Sequence, residues 1–342
     1  MAAGARQADA SIDCDPCPIA DGGEGSLEVL SEALGGTLHR MTVTGPLAEP
    51  VTARYGISGD ESVGLVELAE ASGLGLVPPA CRDPARTTSF GTGELIAAAA
   101  ARGCKTVIVC IGDSATIDGG AGIAQALGGV FVDRNGRVID TPMTGGRLGD
   151  VAGYHAPAPA APRLRVACDV TNPLLGADGA ACCYGPQKGA KPGQVAALDA
   201  QLARLAELLG GDPDCAGAGA AGGAGYGLAA MLGAELERGV DVILDAVKFD
   251  RRCAAADLVL TGEGRLDAQS RRGKACFGVA EVAAAIGVPV VAIVGSVVPG
   301  AGFGDLFRQV ISLSDRYGRD HARRRPEQVI AKAVRELLTR PA

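Results

Sequence analysis

The residues best suited to chemistry gather in five glycine-rich loops. "PIADGGEGS" (18–26) sets Asp21 and Glu24 beside Gly22, Gly23 and Gly25. "TTSFGTGELI" (87–96) carries Thr88, Ser89, Thr92 and Glu94 around Gly91 and Gly93. "IGDSATIDGGAG" (111–122) holds Asp113, Ser114, Thr116 and Asp118. "CDVTNPLLGADGAA" (168–181) holds Asp169, Thr171 and Asn172, and "GPQKGAK" (185–191) follows with Lys188. "TGEGRLDAQSRRGK" (261–274) holds Glu263, Arg265, Asp267, Ser270 and Lys274. Glycine lets backbone N–H groups approach an anion, and a following helix adds a favourable dipole. Hydroxyls add donors, and Lys or Arg neutralises the charge that moves during phosphoryl transfer. Carboxylates suit Mg²⁺, a hard cation that takes oxygen ligands, or accept the proton of an attacking hydroxyl. Taken together, the five loops read as nucleotide phosphotransfer machinery.

Each loop alone also has an ordinary explanation. Asp-Gly and Gly-Gly are common turn dipeptides. Ser89 or Thr92 suits a cap for a helix over 92–102, and Asp118 suits one opening at Gly119. Asn172-Pro173 is a usual turn start. Lys188 and Lys274 fit solvated positions. The sequence has no GxxxxGK[ST] phosphate loop, no kinase His-Arg-Asp set and no GxSxG elbow.

These loops must be positioned by the elements around them. Apolar β-rich runs at 105–112, 163–169, 256–264 and 288–296 suit buried parallel strands. Helical patterns occupy 92–102, 119–128, 194–209, 226–237, 275–286 and 326–339. Strand, glycine turn, helix is the rhythm of an open α/β sheet, whose strand ends bring such loops together. The stretch 154–163 is rich in proline and alanine and reads as a linker or surface loop. A formal GxGxxG at Gly217, Gly219 and Gly222 follows a helical pattern rather than a strand, so it does not meet the dinucleotide fingerprint. The expected fold is α/β with two α/β domains. One is built from both chain ends (1–45 and 246–342), and the other is inserted (46–245).

Composition narrows the function. The 342 residues are 47% hydrophobic and 21% charged, enough for a substantial core. The 51 glycines are about twice the usual share. A net charge of −7, no tryptophan and 3% aromatic residues disfavour nucleic-acid binding. No apolar run reaches the roughly 18 residues of a membrane span, and no basic-then-apolar leader opens the chain. Eleven cysteines include one CxxC (Cys14, Cys17) and one adjacent pair (Cys182, Cys183), without the second paired set of a zinc site. Reduced thiols in a cytoplasmic protein are the expectation.

Six of these motifs occur in order and at fitting spacing: "PIADGGEGS", "TTSFGTGELI", "IGDSATIDGGAGIAQALGG", "CDVTNPLLGADGAA", "YGPQKGA" and "ADLVLTGEGRLDAQSRRGKA". Together they resemble the type I bacterial glycerate kinase family, from about Cys17 to near the C-terminus. The resemblance implies ATP- and Mg²⁺-dependent phosphorylation of D-glycerate, generally to 2-phosphoglycerate. It also implies two α/β domains, one of them Rossmann-like, with the site in the cleft between them. Asp169 is the first candidate for the base and Asp21 the second. Glu24, Glu263 and Asp267 are candidates for Mg²⁺. Lys188 and Lys274 would contact phosphate or the substrate carboxylate. Gly22, Gly23, Ser89, Gly91, Thr92, Gly93, Ser114, Thr116, Asn172, Gly222, Gly223 and Arg265 would bind nucleotide or substrate. A noncatalytic acid-binding member of the family and a kinase of another hydroxy acid are the alternatives.

Two departures from the family pattern stand out. Family members begin with a strand and a loop like "APDSFKGSLSA". The expectation is that about 30 residues, on the scale of a strand–helix unit, are lacking here through a late start site or in an impaired copy. The family's "GGSATNDGG" reads "GDSATIDGG" here, with Asp113 at a glycine and Ile117 at a polar position.

Overall fold

Strands that are apolar on both faces must be covered on both faces, and this sets the architecture. The computed structural model describes residues 1–158, 162–267, 275–298 and 306–339. Contacts gather into two compact units, Ala20–Ile243 and Met1–Ile19 with Leu244–Ala342. The division falls at Ile19 rather than at residue 45, because residues 20–45 form elements that pack within the larger unit.

That unit is built on a mixed six-stranded sheet. Its strand order is β1 (Thr37–Thr44), β2 (Pro50–Ile57), β3 (Val63–Glu67), β4 (Thr106–Cys110), β7 (Arg163–Cys168) and β8 (Glu235–Arg238). The pairs β3–β4, β4–β7 and β7–β8 are parallel, whereas β1–β2 and β2–β3 are antiparallel. The expected runs at 105–112 and 163–169 become adjacent central strands. A continuous-run criterion misses the edge strand β1 and its neighbour β2, which both carry exposed positions, most of them in their first halves. β5 (Val130–Val132) and β6 (Gly153–His155) form a separate antiparallel ribbon. The start of the proline-rich stretch thus lies in a strand inside this unit, while residues 159–161 lie outside the described residues.

The helix Phe90–Ala101 packs close to its neighbours because it carries glycine at two contact points. A Cβ on Gly91 would sit 1.9 Å from the Thr44 carbonyl oxygen, and one on Gly93 would sit 2.6 Å from Ala126 Cβ. Leu95, Ile96 and Ala99 on this helix are fully buried in the core formed with Val66, Val107 and Val109. The helix expected over 226–237 ends earlier, at Leu232, because Gly233 adopts a left-handed cap (φ 67°). Residues 235–238 then pair with β7, helped by Arg165 clasping Glu237 at 2.7 Å.

The second unit draws on both chain ends. Its parallel sheet runs β13 (Gln309–Ser312), β11 (Val290–Val294), β9 (Val259–Thr261), and β10 (Arg265–Leu266) pairs with β12 (Ser296–Val297). The helix Ala2–Ala8 lies against Pro326–Leu338, with Ala5, Val329 and Ala333 buried between them and the sheet. Leu95→Ala in the larger unit should cost about 2–5 kcal/mol, the usual cost of truncating a fully buried leucine. A lower urea midpoint with unchanged slope checks this.

Candidate active site

Three backbone segments meet at the carboxyl edge of the central parallel strands, where open α/β sheets bind their ligands. Residues 111–118 leave β4, Asp169 leaves β7, and the opening loop crosses in front of them. The Gly112 N–H donates to the Gly22 carbonyl at 3.3 Å, and a Cβ on Gly112 would sit 2.7 Å from Gly23 Cα. Gly22 (φ 99°) needs its left-handed backbone for this crossing. Ser26 closes the loop, donating to the Gly23 carbonyl at 2.7 Å and accepting from the Gly22 N–H at 3.2 Å.

A cavity of about 260 Å³ lies here, lined among others by Gly23, Asp113, Ser114, Asp169, Tyr184 and Lys188. Lys188 is 3% exposed. Its Nζ donates to Ser114 Oγ at 2.7 Å and to the Thr116 carbonyl at 2.9 Å. Burial pushes its pKa down to about 7, against the opposite pull of the Asp118 charge. Burial also pushes Tyr184 up to about 12. The Tyr184 hydroxyl donates to Asn172 Oδ1 at 2.7 Å, and Asn172 Nδ2 donates to the Asp178 carbonyl. Asn172 thereby steadies the Tyr184 wall and does not itself line the cavity.

Ala221, on the cavity wall, opens a short left-handed turn. Ala221, Gly222 and Gly223 have φ of 50°, 69° and 88°, inside what would otherwise be one helix, Ala220–Leu232. A Cβ on Gly222 would lie 1.9 Å from the same Thr116 carbonyl oxygen that receives Lys188. The Gly222 carbonyl accepts from the Gly119 N–H at 3.1 Å. The glycine-rich stretch after 212 thus shapes the Lys188 pocket by close backbone approach, with helix before it and helix after it.

Several predicted ligand residues are turned inward. Ser89 is fully buried, donates its hydroxyl to Asp118 Oδ2 at 2.7 Å and accepts from the Ile123 N–H. Asp118 also accepts from the Ser89 N–H at 2.8 Å and the Gly120 N–H at 3.1 Å, joining the starts of two helices. Burial raises its pKa despite these donors. Thr92 meets Ser72 at 2.8 Å in the core, and Gly91 and Gly93 serve helix packing. The Thr116 side chain is buried, its hydroxyl without a partner among the described residues, and Gly223 packs against Leu174. None of these lines the cavity.

The two departures from the family pattern have local explanations. Asp113 takes up a left-handed φ of 56°, which glycine prefers and Asp tolerates. Ile117 is fully buried among Phe131, Leu174 and Leu198. Glu24 borders a second cavity of about 290 Å³ with Glu67, Glu70 and Arg54. There Arg54 is held by Glu28 at 2.7 Å and by Glu70. Glu67 accepts from the Leu27 N–H at 3.0 Å, and burial raises its pKa. Glu263, Arg265 and Asp267 belong to the other unit, where they follow β9 and Asp267 lies 3.5 Å from Arg265. Lys274 lies outside the described residues.

Sequence reasoning did not single out Tyr184 or Gln187, although both stand in the quoted "YGPQKGA". It had no signal for Leu74 or Ala221, which reach the cavity only through the fold. Among the described residues no three His, Cys, Asp or Glu side chains are arranged to hold a metal ion. Mg²⁺ at a phosphoryl-transfer site needs only one or two carboxylates with phosphate and water oxygens. A Cβ on Gly23 would lie 3.5 Å from Asp21 Oδ1 and 3.7 Å from Asp113 Oδ2, so both carboxylates stand beside Gly23, and oxygen ligands of this kind suit Mg²⁺.

Fold and site together define an α/β enzyme with a small cavity at the carboxyl edge of its sheet. A family profile described as the glycerate kinase family matches residues 1–340. Glycerate kinase of Bacillus subtilis (strain 168) is 47% identical over 290 residues, covering 82% of this chain and 75% of that protein. Glycerate 2-kinase of Escherichia coli (strain K12) is 46% identical over 300 residues, covering 83% and 77%. A crystal structure assigned to glycerate kinase 2 of Salmonella typhimurium LT2 superposes with a TM-score of 0.83 at 41% identity, covering 98% of this chain and 91% of that one. The chain belongs to the glycerate kinase family and is a kinase.

Asp118→Asn places an amide N–H against backbone donors that now face a carboxylate. It should lower stability by about 1–3 kcal/mol, read as a fall in Tm. Gly222→Ala adds left-handed strain of about 1–2 kcal/mol to the clash with Thr116, so it should unfold at lower urea than the parent chain.

Proposed function

We propose that the protein transfers the γ-phosphoryl group of ATP to a hydroxyl of D-glycerate, giving 2-phosphoglycerate. The observation that carries this reading is the convergence of Lys188, Ser114 and Asp169 on one small cavity in a chain of the glycerate kinase family. Asp169 stands at the end of a central strand and is partly buried, where a rigid scaffold can hold a base against a hydroxyl. The glycerate oxygen attacks γ-phosphorus, its proton passes to the Asp169 carboxylate, and the bond to the β-phosphate oxygen breaks. Lys188, buried at the cavity wall, directs its amine at the bound anion in a pocket where water competes little. Asp21 and Asp113 would hold Mg²⁺, which supplies neutralisation of phosphate charge. Eleven free cysteines support a reducing, cytoplasmic setting.

The test is a coupled assay for ADP with purified protein, ATP, Mg²⁺ and D-glycerate, with the product identified by phosphorus NMR. Phosphorylation is expected, and a panel of other hydroxy acids tests the acceptor. Asp169→Asn should lower kcat by about 10²–10⁴ while the protein keeps its Tm. No ADP formation with D-glycerate would overturn the proposal.

A further inference from the structure

Lys188 is buried more deeply than a surface phosphate contact requires, and its surroundings are those of an uncharged amine. A protonated amine has three N–H donors, and a neutral one has two with a lone pair. The protein offers two acceptors, Ser114 Oγ and the Thr116 carbonyl, and neither is charged. Among the described residues no carboxylate forms an ion pair with Lys188. Asp118, the nearby acid that acts on it through space, has its oxygens engaged by Ser89 and Gly120. Asp169 and Asp113 line the same cavity, and the Tyr184 ring lies 5.9 Å from Nζ. Cys182 and Cys183 come from the adjoining helix, and the Arg82 backbone packs on Gly189. The third direction of the amine is left to the cavity. With a volume of about 260 Å³, that cavity is below the usual 300–1,000 Å³ range of drug-sized ligand sites and suits a small acid better than a nucleotide.

We propose that Lys188 is the anchor for the carboxylate of the organic acid, and that the site takes up a proton when this anion binds. This rests on the glycerate reading above. The carboxylate supplies the counter-charge that the folded chain withholds, so binding restores the ammonium. Burial has pushed Lys188 down to about 7, so most of the amine is neutral above that pH and already charged below it. Proton uptake therefore grows as pH rises through 7 and fades as pH falls. The same arrangement selects against neutral polyols, which bring no charge to stabilise the ammonium.

Titration calorimetry of the full chain with D-glycerate, in buffers of different ionisation enthalpy, measures the uptake. Close to one proton per site is expected near pH 8 and close to none near pH 5.5, from the two-state titration of a single amine. Glycerol and a nonhydrolysable ATP analogue, each added alone, should cause no uptake. Lys188→Met, shown to be folded by its Tm, should lose the uptake and weaken D-glycerate binding by about tenfold or more, as expected for loss of a charge-assisted hydrogen bond. D-glycerate binding without proton uptake near pH 8 would overturn the inference and leave the kinase reading intact. So would uptake that persists in Lys188→Met. Uptake with the nucleotide analogue in place of the acid would overturn the carboxylate assignment. If D-glycerate is neither bound nor phosphorylated, the functional reading falls and this inference falls with it.

Discussion

The carboxylate of Asp118 is the constraint from which the site follows. It is buried without a direct cation among the described residues and is made tolerable by donors from Ser89 and Gly120. Those donors belong to the starts of two helices, where unpaired N–H groups and the helix dipole favour a negative charge. Because the carboxylate is satisfied only when both helix starts are in place, it fixes the loop between β4 and the second helix. That loop carries Ser114 and Thr116, and these two residues hold Lys188.

A second constraint acts on the same loop from the other side. The left-handed turn at 221–223 presses bare backbone against the Thr116 carbonyl, at a distance that no side chain would allow. Thr116 is therefore held between a glycine and a lysine, and its own hydroxyl is left without a partner among the described residues. The cost is local, and it gives the amine of Lys188 one defined direction. Burial then lowers the proton affinity of that amine, so its charge depends on what shares the cavity. The carboxylates of Asp21 and Asp113 stand beside Gly23.

Much of this was legible in the sequence. Apolar runs such as "TVIVC" and "VVAIV" suit buried strands and form them, and the glycine-rich loop that follows "TVIVC" falls at the sheet's carboxyl edge. Order and wording of the motifs gave the family, and Asp169, Lys188, Ser114 and Gly23 do meet at one cavity. Ser89, Thr92, Gly91 and Gly93 carry the same residue types and the same local pattern, yet they face the core. Residue type cannot separate the two outcomes, because a hydroxyl beside glycine serves a buried carboxylate as readily as a phosphate. The edge strand β1 and its neighbour β2 escaped notice because they leave several positions exposed and so form no continuous apolar run.

The sequence by itself determined the strand–helix rhythm and the stock of donors, carboxylates and lysines, because these depend on local periodicity and composition. Tertiary structure alone decided which loops turn outward. It also decided that the GxGxxG stretch would end in a left-handed turn against Thr116, and that Lys188 would be buried between two neutral acceptors. Those outcomes depend on close contacts between residues more than fifty positions apart, such as Gly222 with Thr116 and Lys188 with Ser114, and on the desolvation that only a packed fold imposes.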